Sequence, residues 1–176
     1  MIFKGEKPLS EKKFYFTGNE MVNICPLVMD ISNHFTYEFF IRPFSVHGID
    51  LETASGTTGI SGKKYAIGPG GTADRNRAGI GISVGTNGIS IYEHSAYHLP
   101  AVLVHKTDIQ KEIHVAVVYR QKTPYLYING NLIKKGRQSK KRFVHPSILI
   151  GGMHPYGYFH GEIRDIRIWN HARTEE

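Results

Sequence analysis

The chain has 176 residues, 40% of them apolar and 21% charged, which is close to an average globular domain and enough for one core. The formal charge is +7, from 22 Lys and Arg against 15 Asp and Glu, and no apolar run approaches the ~20 residues of a membrane-spanning helix. The opening MIFKGEKPLSEKK lacks the apolar centre of a secretory signal, and a lone Cys25 excludes an internal disulfide.

Apolar and polar residues alternate with period two through most of the chain, and no stretch has a helical period. The first long run, HFTYEFFIRPF from His34 to Phe44, reads as a strand. The next stretch, His47 to Ala78, is rich in Gly, Ser and Thr and has only the short apolar segment YAIG. Loops this long inside a compact domain are usually functional or disordered, so this one is expected to form a variable binding rim.

Five further runs alternate as strands do: Ala78 to Gly85, Gly88 to His94, Ala101 to Lys106, Glu112 to Arg120 and Pro124 to Gly130. Ile113, Val115, Val117 and Tyr119 share one face of the fourth, and His114, Ala116 and Val118 the other, so both faces should be covered. Asn87-Gly88 and Asn129-Gly130 stand between such runs and tolerate the positive φ of a type I′ turn, which predicts two hairpins. With 19 Gly and 8 Pro punctuating short strands, the expected fold is all-β: a two-sheet antiparallel β-sandwich of jelly-roll type in a single domain spanning 1–176.

The basic residues cluster in LIKKGRQSKKR, from Leu132 to Arg142. No aromatic residues interleave them to stack bases, so nucleic acid is not expected. A solvated hairpin tip is the simpler reading, and an anionic glycan is the partner such a hairpin would suit.

Three blocks carry a resemblance: FTYEFFIRP (Phe35 to Pro43), IHVAVVYRQKTPYLYINGNLI (Ile113 to Ile133) and GGMHPYGYFHGEIRDIRIWNHART (Gly151 to Thr174). In that order they resemble the laminin G-like, concanavalin A-like jelly-roll domains. The chain departs from that pattern at Phe40 and Glu112, where tryptophans are common, and Phe40 is expected to fill the core as an aromatic. The resemblance implies binding of sugars, sulfated polymers or proteins. It also implies that the closing Arg173-Thr174-Glu175-Glu176 leads toward a linker, as in a module excised from a larger extracellular or cell-surface protein with further domains.

Asp165 should share a strand face with Ile163 and Trp169, so that its carboxylate leaves water and Trp169 plugs the core. Related domains often hold a structural calcium near the matching aspartate, which here implicates Asp165 with Asn19 of the Phe16-Thr17-Gly18-Asn19 turn. The competing expectation pairs Asp165 with Arg167, Arg164 or Arg42. The 10 histidines are scattered, so zinc is not expected.

Candidate ligand residues lie in two neighbouring segments. GTNGISIYEHSAYHLP presents Glu93, His94, Tyr97 and His98, an aromatic, carboxylate and imidazole set that suits a sugar ring. GGTADRNRAG groups Asp74, Arg75 and Asn76 at a glycine-flanked turn, and planar arginine forks recognise carboxylates and vicinal hydroxyls. If the second segment folds over the first, they form one polar pocket, with Tyr156 of HPYGYFH as a further stacking platform.

Catalysis finds no support. Glu162 and Asp165 are the nearest approach to paired carboxylates and would point to opposite faces of a strand, and no nucleophile elbow or phosphate loop occurs. The function expected is therefore a non-catalytic carbohydrate-binding module. The alternatives are a protein–protein interaction or structural module and, further off, a glycoside-active enzyme.

Overall fold

A computed structural model of the protein describes residues 13–23, 30–70 and 74–174. Cys25, Glu175 and Glu176 fall outside them. The described residues contain strands and no helix, so no helix is long and apolar enough to cross a membrane.

The strands in chain order are β1 (Phe14–Thr17), β2 (Val22–Asn23), β3 (Phe35–Pro43), β4 (Tyr65–Ile67), β5 (Arg77–Gly85), β6 (Gly88–His94), β7 (Ala101–Lys106) and β8 (Ile113–Arg120). They continue with β9 (Thr123–Ile128), β10 (Asn131–Lys135), β11 (Phe143–His145), β12 (Leu149–Ile150), β13 (Gly152–Met153), β14 (Gly157–Tyr158) and β15 (His160–Trp169). One sheet has the order β1-β15-β3-β8-β9-β10. The other runs β13-β14-β4-β5-β6-β7, with β11 beside β5 and β12 joining β2 to β4. All pairings between these strands are antiparallel except the short contacts of β11 with β5 and β14 with β4.

Period-two alternation builds the core. Phe35, Tyr37, Phe39 and Ile41 of β3 and Val115, Val117 and Tyr119 of β8 point inward from one sheet, and Ile80, Ile82, Val84, Ile89 and Ile91 of β5 and β6 meet them from the other. All are essentially solvent-free, and each contributes about 2 kcal/mol of apolar burial. Inside this core the Tyr37 hydroxyl donates to the Ser147 carbonyl, so its one polar atom is satisfied.

The two Asn-Gly pairs behave differently. Asn129 and Gly130 have φ of 51° and 81° and close the β9–β10 hairpin as a positive-φ pair. In the β5–β6 hairpin Gly85 pairs with Gly88, so the loop residues are Thr86 and Asn87, one position earlier than expected, and neither has positive φ. The Asn87 side chain instead ties down the strap that follows β3, because its Oδ1 accepts the His47 N–H at 3.1 Å and its Nδ2 donates to the His47 carbonyl at 2.9 Å. A third hairpin turn, Gln121-Lys122 between β8 and β9, takes φ of 49° and 63° without any glycine.

Part of the stretch from His47 to Ala78 is a strap, and part, with Arg75 and Asn76, lines a cavity at one end of the sandwich. The strap covers the outer face of the larger sheet and contributes β4 to it. The Tyr92 hydroxyl donates to Asp50 Oδ2 at 2.7 Å, and the almost fully buried Lys63 pairs with the same carboxylate while lying 5.1 Å from the Tyr92 ring centre. Glu52 accepts the Val104 N–H at 2.9 Å and pairs with Lys134 at 2.6 Å. Gly81 is required beneath this cover, because a Cβ there would meet the Tyr65 ring at 2.5 Å. Leu51 is 87% exposed, and Ser55 to Thr57, Gly59 to Ser61 and Asp74 to Arg77 are exposed as well.

The last strand corrects three expectations. A bulge between Arg164 and Arg167 places Asp165 at φ 52°, and the alternation resumes out of phase, so Ile163, Ile166 and Ile168 enter the core. Asp165 therefore does not share the face of Ile163. Trp169 lies opposite Ile168, on the outer face against Arg173 at 4.6 Å, and does not plug the core. Phe40 is likewise outward, half-buried beneath the Arg164 guanidinium at 4.0 Å.

Candidate functional site

At one end of the sandwich β6 turns its inward face toward a polar cavity. Glu93 follows Ile89 and Ile91 on that face and is 3% exposed. Two hydroxyls make a carboxyl tolerable there: Ser139 donates to Oε2 at 2.5 Å and Tyr119 donates to Oε1 at 3.3 Å. Burial nevertheless pushes the Glu93 pKa up to about 7, against the opposing pull of those two hydroxyls and of Lys122 and Lys141.

Ser139 is delivered by the chain after β10. The Arg137 N–H donates to the Val102 carbonyl at 2.7 Å and the Ser139 N–H to the Lys122 carbonyl at 2.9 Å, which carries Lys140, Lys141 and Arg142 across the end of the sandwich. Opposite them Asp74 shapes a turn by accepting the Asn76 N–H at 2.8 Å, and Lys141 Nζ donates to the Arg75 carbonyl at 2.9 Å. Reciprocal backbone bonds between Ser95 and His98, at 3.0 and 3.1 Å, form the third wall. These segments enclose about 150 Å3, bounded by Arg75, Asn76, Glu93, His98 and the Lys140–Arg142 run. Tyr97 stands on the rim, 80% exposed at φ 65°, with the Arg75 guanidinium 5.5 Å from its ring centre.

The structure thus gathers Arg75, Asn76, Glu93 and His98 in one cavity, with Tyr97 beside it and Asp74 as the residue that turns the loop. It does not bring His94 or Tyr156 there. His94 points to the opposite face of β6, where its Nε2 lies 2.6 Å from the Tyr65 hydroxyl and its ring meets Tyr156 edge-on at 4.9 Å. Burial drives the His94 pKa down to about 3, with the Lys63 charge adding to the effect. Lys140, Lys141 and Arg142 do not form the hairpin tip that their sequence suggests, since only Asn131–Lys135 is hairpin strand. Their density of charge is legible in the sequence, but not their place beside Glu93.

A laminin G family model described as the concanavalin A-like lectin/glucanases superfamily matches residues 16–176. The chain belongs to that superfamily. Among solved structures similar to this concanavalin A-like domain, the carbohydrate-binding module of a Ruminococcus gnavus sialidase, bound to α2,3-sialyllactose, has a TM-score of 0.60 at 14% identity, covering 96% of this chain and 95% of that one. A heptameric pentraxin from Limulus polyphemus has a TM-score of 0.54 at 14% identity, covering 93% and 77%. A botulinum neurotoxin type C structure, whose cell entry depends on two ganglioside molecules, has a TM-score of 0.52 at 17% identity, covering 93% of this chain and 40% of its own. At such identities the likeness is one of fold. No curated protein matches the sequence.

For a concanavalin A-like domain the carboxylates and the expected calcium residues need separate placement. β1 pairs with β15 so that Thr17 faces His160 and Phe14 faces Ile163. Asn19 therefore lies past one end of β1 and Asp165 past the other, roughly 15 Å or more apart at ~3.3 Å per residue, and they cannot share one ion. Asp165 is instead paired with Arg164, which also grips Glu112 through Nε at 3.1 Å and Nη2 at 2.6 Å. Among the described residues no three His, Cys, Asp or Glu side chains gather as a metal site. The bulge also removes the strand alternation that would send Glu162 and Asp165 to opposite faces, but each carboxylate is neutralised by its own cation, Glu162 by Lys13 at 2.8 Å.

Proposed function

We propose that this chain is a non-catalytic glycan-binding module whose ligand occupies the cavity at the end of the sandwich. The observation that carries the reading is the convergence of three separate segments, Arg75 with Asn76, Glu93 with His98, and Lys140 with Lys141 and Arg142, around one cavity of about 150 Å3. Arg75 and Asn76 supply directed donors for hydroxyl or carboxylate oxygens, and the exposed Tyr97 ring supplies a flat apolar platform. Glu93 fixes orientation from the floor. The basic run favours an anionic glycan, and the sialyllactose of the R. gnavus module and the gangliosides of the neurotoxin are in keeping with that class. So small a site buries little area, which makes the affinity modest. The Glu93 carboxyl has no second carboxyl among the cavity-lining residues with which to divide acid and nucleophile roles, in keeping with binding without turnover.

The test is a glycan array read at low and high ionic strength, with calcium and with chelator. Acidic glycans are expected to bind at low salt and weaken as salt rises, since the cationic contacts are screened. Absence of any glycan hit under all conditions would refute the reading.

A further inference from the structure

A larger depression, about 330 Å3, lies on the outer face of the smaller sheet, remote from the core that the two sheets share. Its floor is unusual for a face turned away from the sandwich. Ala116 and Val118 of β8 and Tyr127 of β9 are buried there, with Ala172 packed against them. The chain after β15 makes one wall, held because Thr36 Oγ1 donates to the His171 carbonyl at 2.9 Å and accepts the Arg173 N–H at 3.0 Å.

The polar groups in this depression do not balance. Glu38 of β3 is nearly buried and is matched by Arg173, whose Nη1 donates to Oε1 at 2.5 Å. Arg173 is itself braced on the Trp169 ring at 4.6 Å. Arg167 sits directly across from Glu38 in the β15–β3 register, yet its Nε is sealed from solvent with no hydrogen-bond partner. His114, also in the lining, is held below its ordinary pKa by burial, with Glu38 opposing and Arg167 and Arg173 adding to the shift. Among the described residues the depression therefore carries two guanidinium groups and one carboxylate. Arg167 lines the depression without a salt bridge among the described residues, and the ligand group that complements such a guanidinium is a planar or tetrahedral oxyanion.

We infer that this depression is a second ligand site, in which Arg167 reads a single negative charge on a sugar ring. Ala116, Val118 and Tyr127 provide the apolar bed for the ring, and the volume admits a ligand of that size. The Glu38–Arg173 pair positions Arg167 and sets the limit on charge: a singly charged carboxylate or sulfate ester balances the surplus guanidinium, whereas a doubly charged phosphate monoester would face Glu38. The inference rests on the glycan reading for the ring, while the charge follows from Arg167 alone.

The experiment is a 1H–15N NMR titration of the whole chain with sialyllactose, 6-sulfolactose and uncharged lactose, repeated with Arg167→Gln and Arg167→Lys. At least one charged sugar is expected to move the amides of Glu38, Ala116 and Tyr127, with the two charged probes separating carboxylate from sulfate. Lactose should leave these amides in place. Arg167→Gln should weaken this response about tenfold or more, and Arg167→Lys, which keeps charge but loses the fork, should fall between. Because the wild-type map stands by itself, a poorly folded variant does not blunt the test. Shifts confined to the amides around Arg75 and Glu93 would overturn the second site and leave the end cavity standing, and no shifts with any probe would overturn both. Equal shifts with lactose would overturn the role of Arg167.

Discussion

Glu93 offers a quantitative test of how the end cavity is built. Its pKa is raised from an ordinary 4.5 to about 7, chiefly by burial, so the native state holds its proton where the unfolded chain has released it. Such a raised group contributes stability that is fully present below pH 4.5 and is lost as pH rises through about 7. At about 1.4 kcal/mol per pH unit the whole contribution is about 3 kcal/mol, most of it disappearing between pH 5 and 8. Other groups move the opposite way: burial lowers His47 to about 4 and His94 to about 3, and each loses stability as pH falls below the ordinary 6.5. A single stability profile would mix these terms. The difference between wild type and Glu93→Gln cancels the histidines and isolates Glu93. Gln can accept from Ser139 and Tyr119 through its amide oxygen, and any cost of its unmatched amide hydrogens is independent of pH. Urea unfolding at pH 5, 6, 7 and 8, followed by the fluorescence of Trp169, the only tryptophan, should show the Gln variant gaining about 2–3 kcal/mol on wild type across that range. Parallel profiles would mean that Glu93 is already ionised in the native state at pH 5, so that Lys122 and Lys141 outweigh burial, and the account of the cavity floor would fail.

Two further perturbations test the strap and the hairpins. Asp50→Ala leaves the Lys63 ammonium buried without its carboxylate and should cost about 3–5 kcal/mol in urea unfolding; a loss near that of a surface ion pair would show that Lys63 escapes to water. Gln121→Gly should stabilise the fold by about 0.5–1 kcal/mol, visible as a higher Tm, because Gln121 holds φ 49° at a cost glycine does not bear; no gain would mean the turn carries no such cost.

Of the candidate site, the residue types are legible in the sequence and the neighbourhood is not. Arg75, Asn76, Glu93 and His98 are readable because Gly-flanked turns and strand exits are where directed polar groups accumulate. His94 misleads because a residue next to Glu93 on a strand must face the other way, and there the cover formed by Tyr65 and Tyr156 buries it. Arg167 and Glu38 give no local signal, since an outer-facing polar residue on a strand ordinarily meets water.

The sequence by itself determined the long central strands, the covered faces of β8 and the two-sheet architecture, because period-two alternation and chain-reversing turns are local properties that each segment carries alone. Only the tertiary structure decided what the faces meet. The bulge at Asp165, the outward turn of Trp169, and the strap over Tyr92 arise from contacts between distant segments, as Ser139 reaches Glu93 across 46 positions. A one-residue slip in a strand exchanges its two faces, so a single bulge chosen by packing reassigns every side chain beyond it.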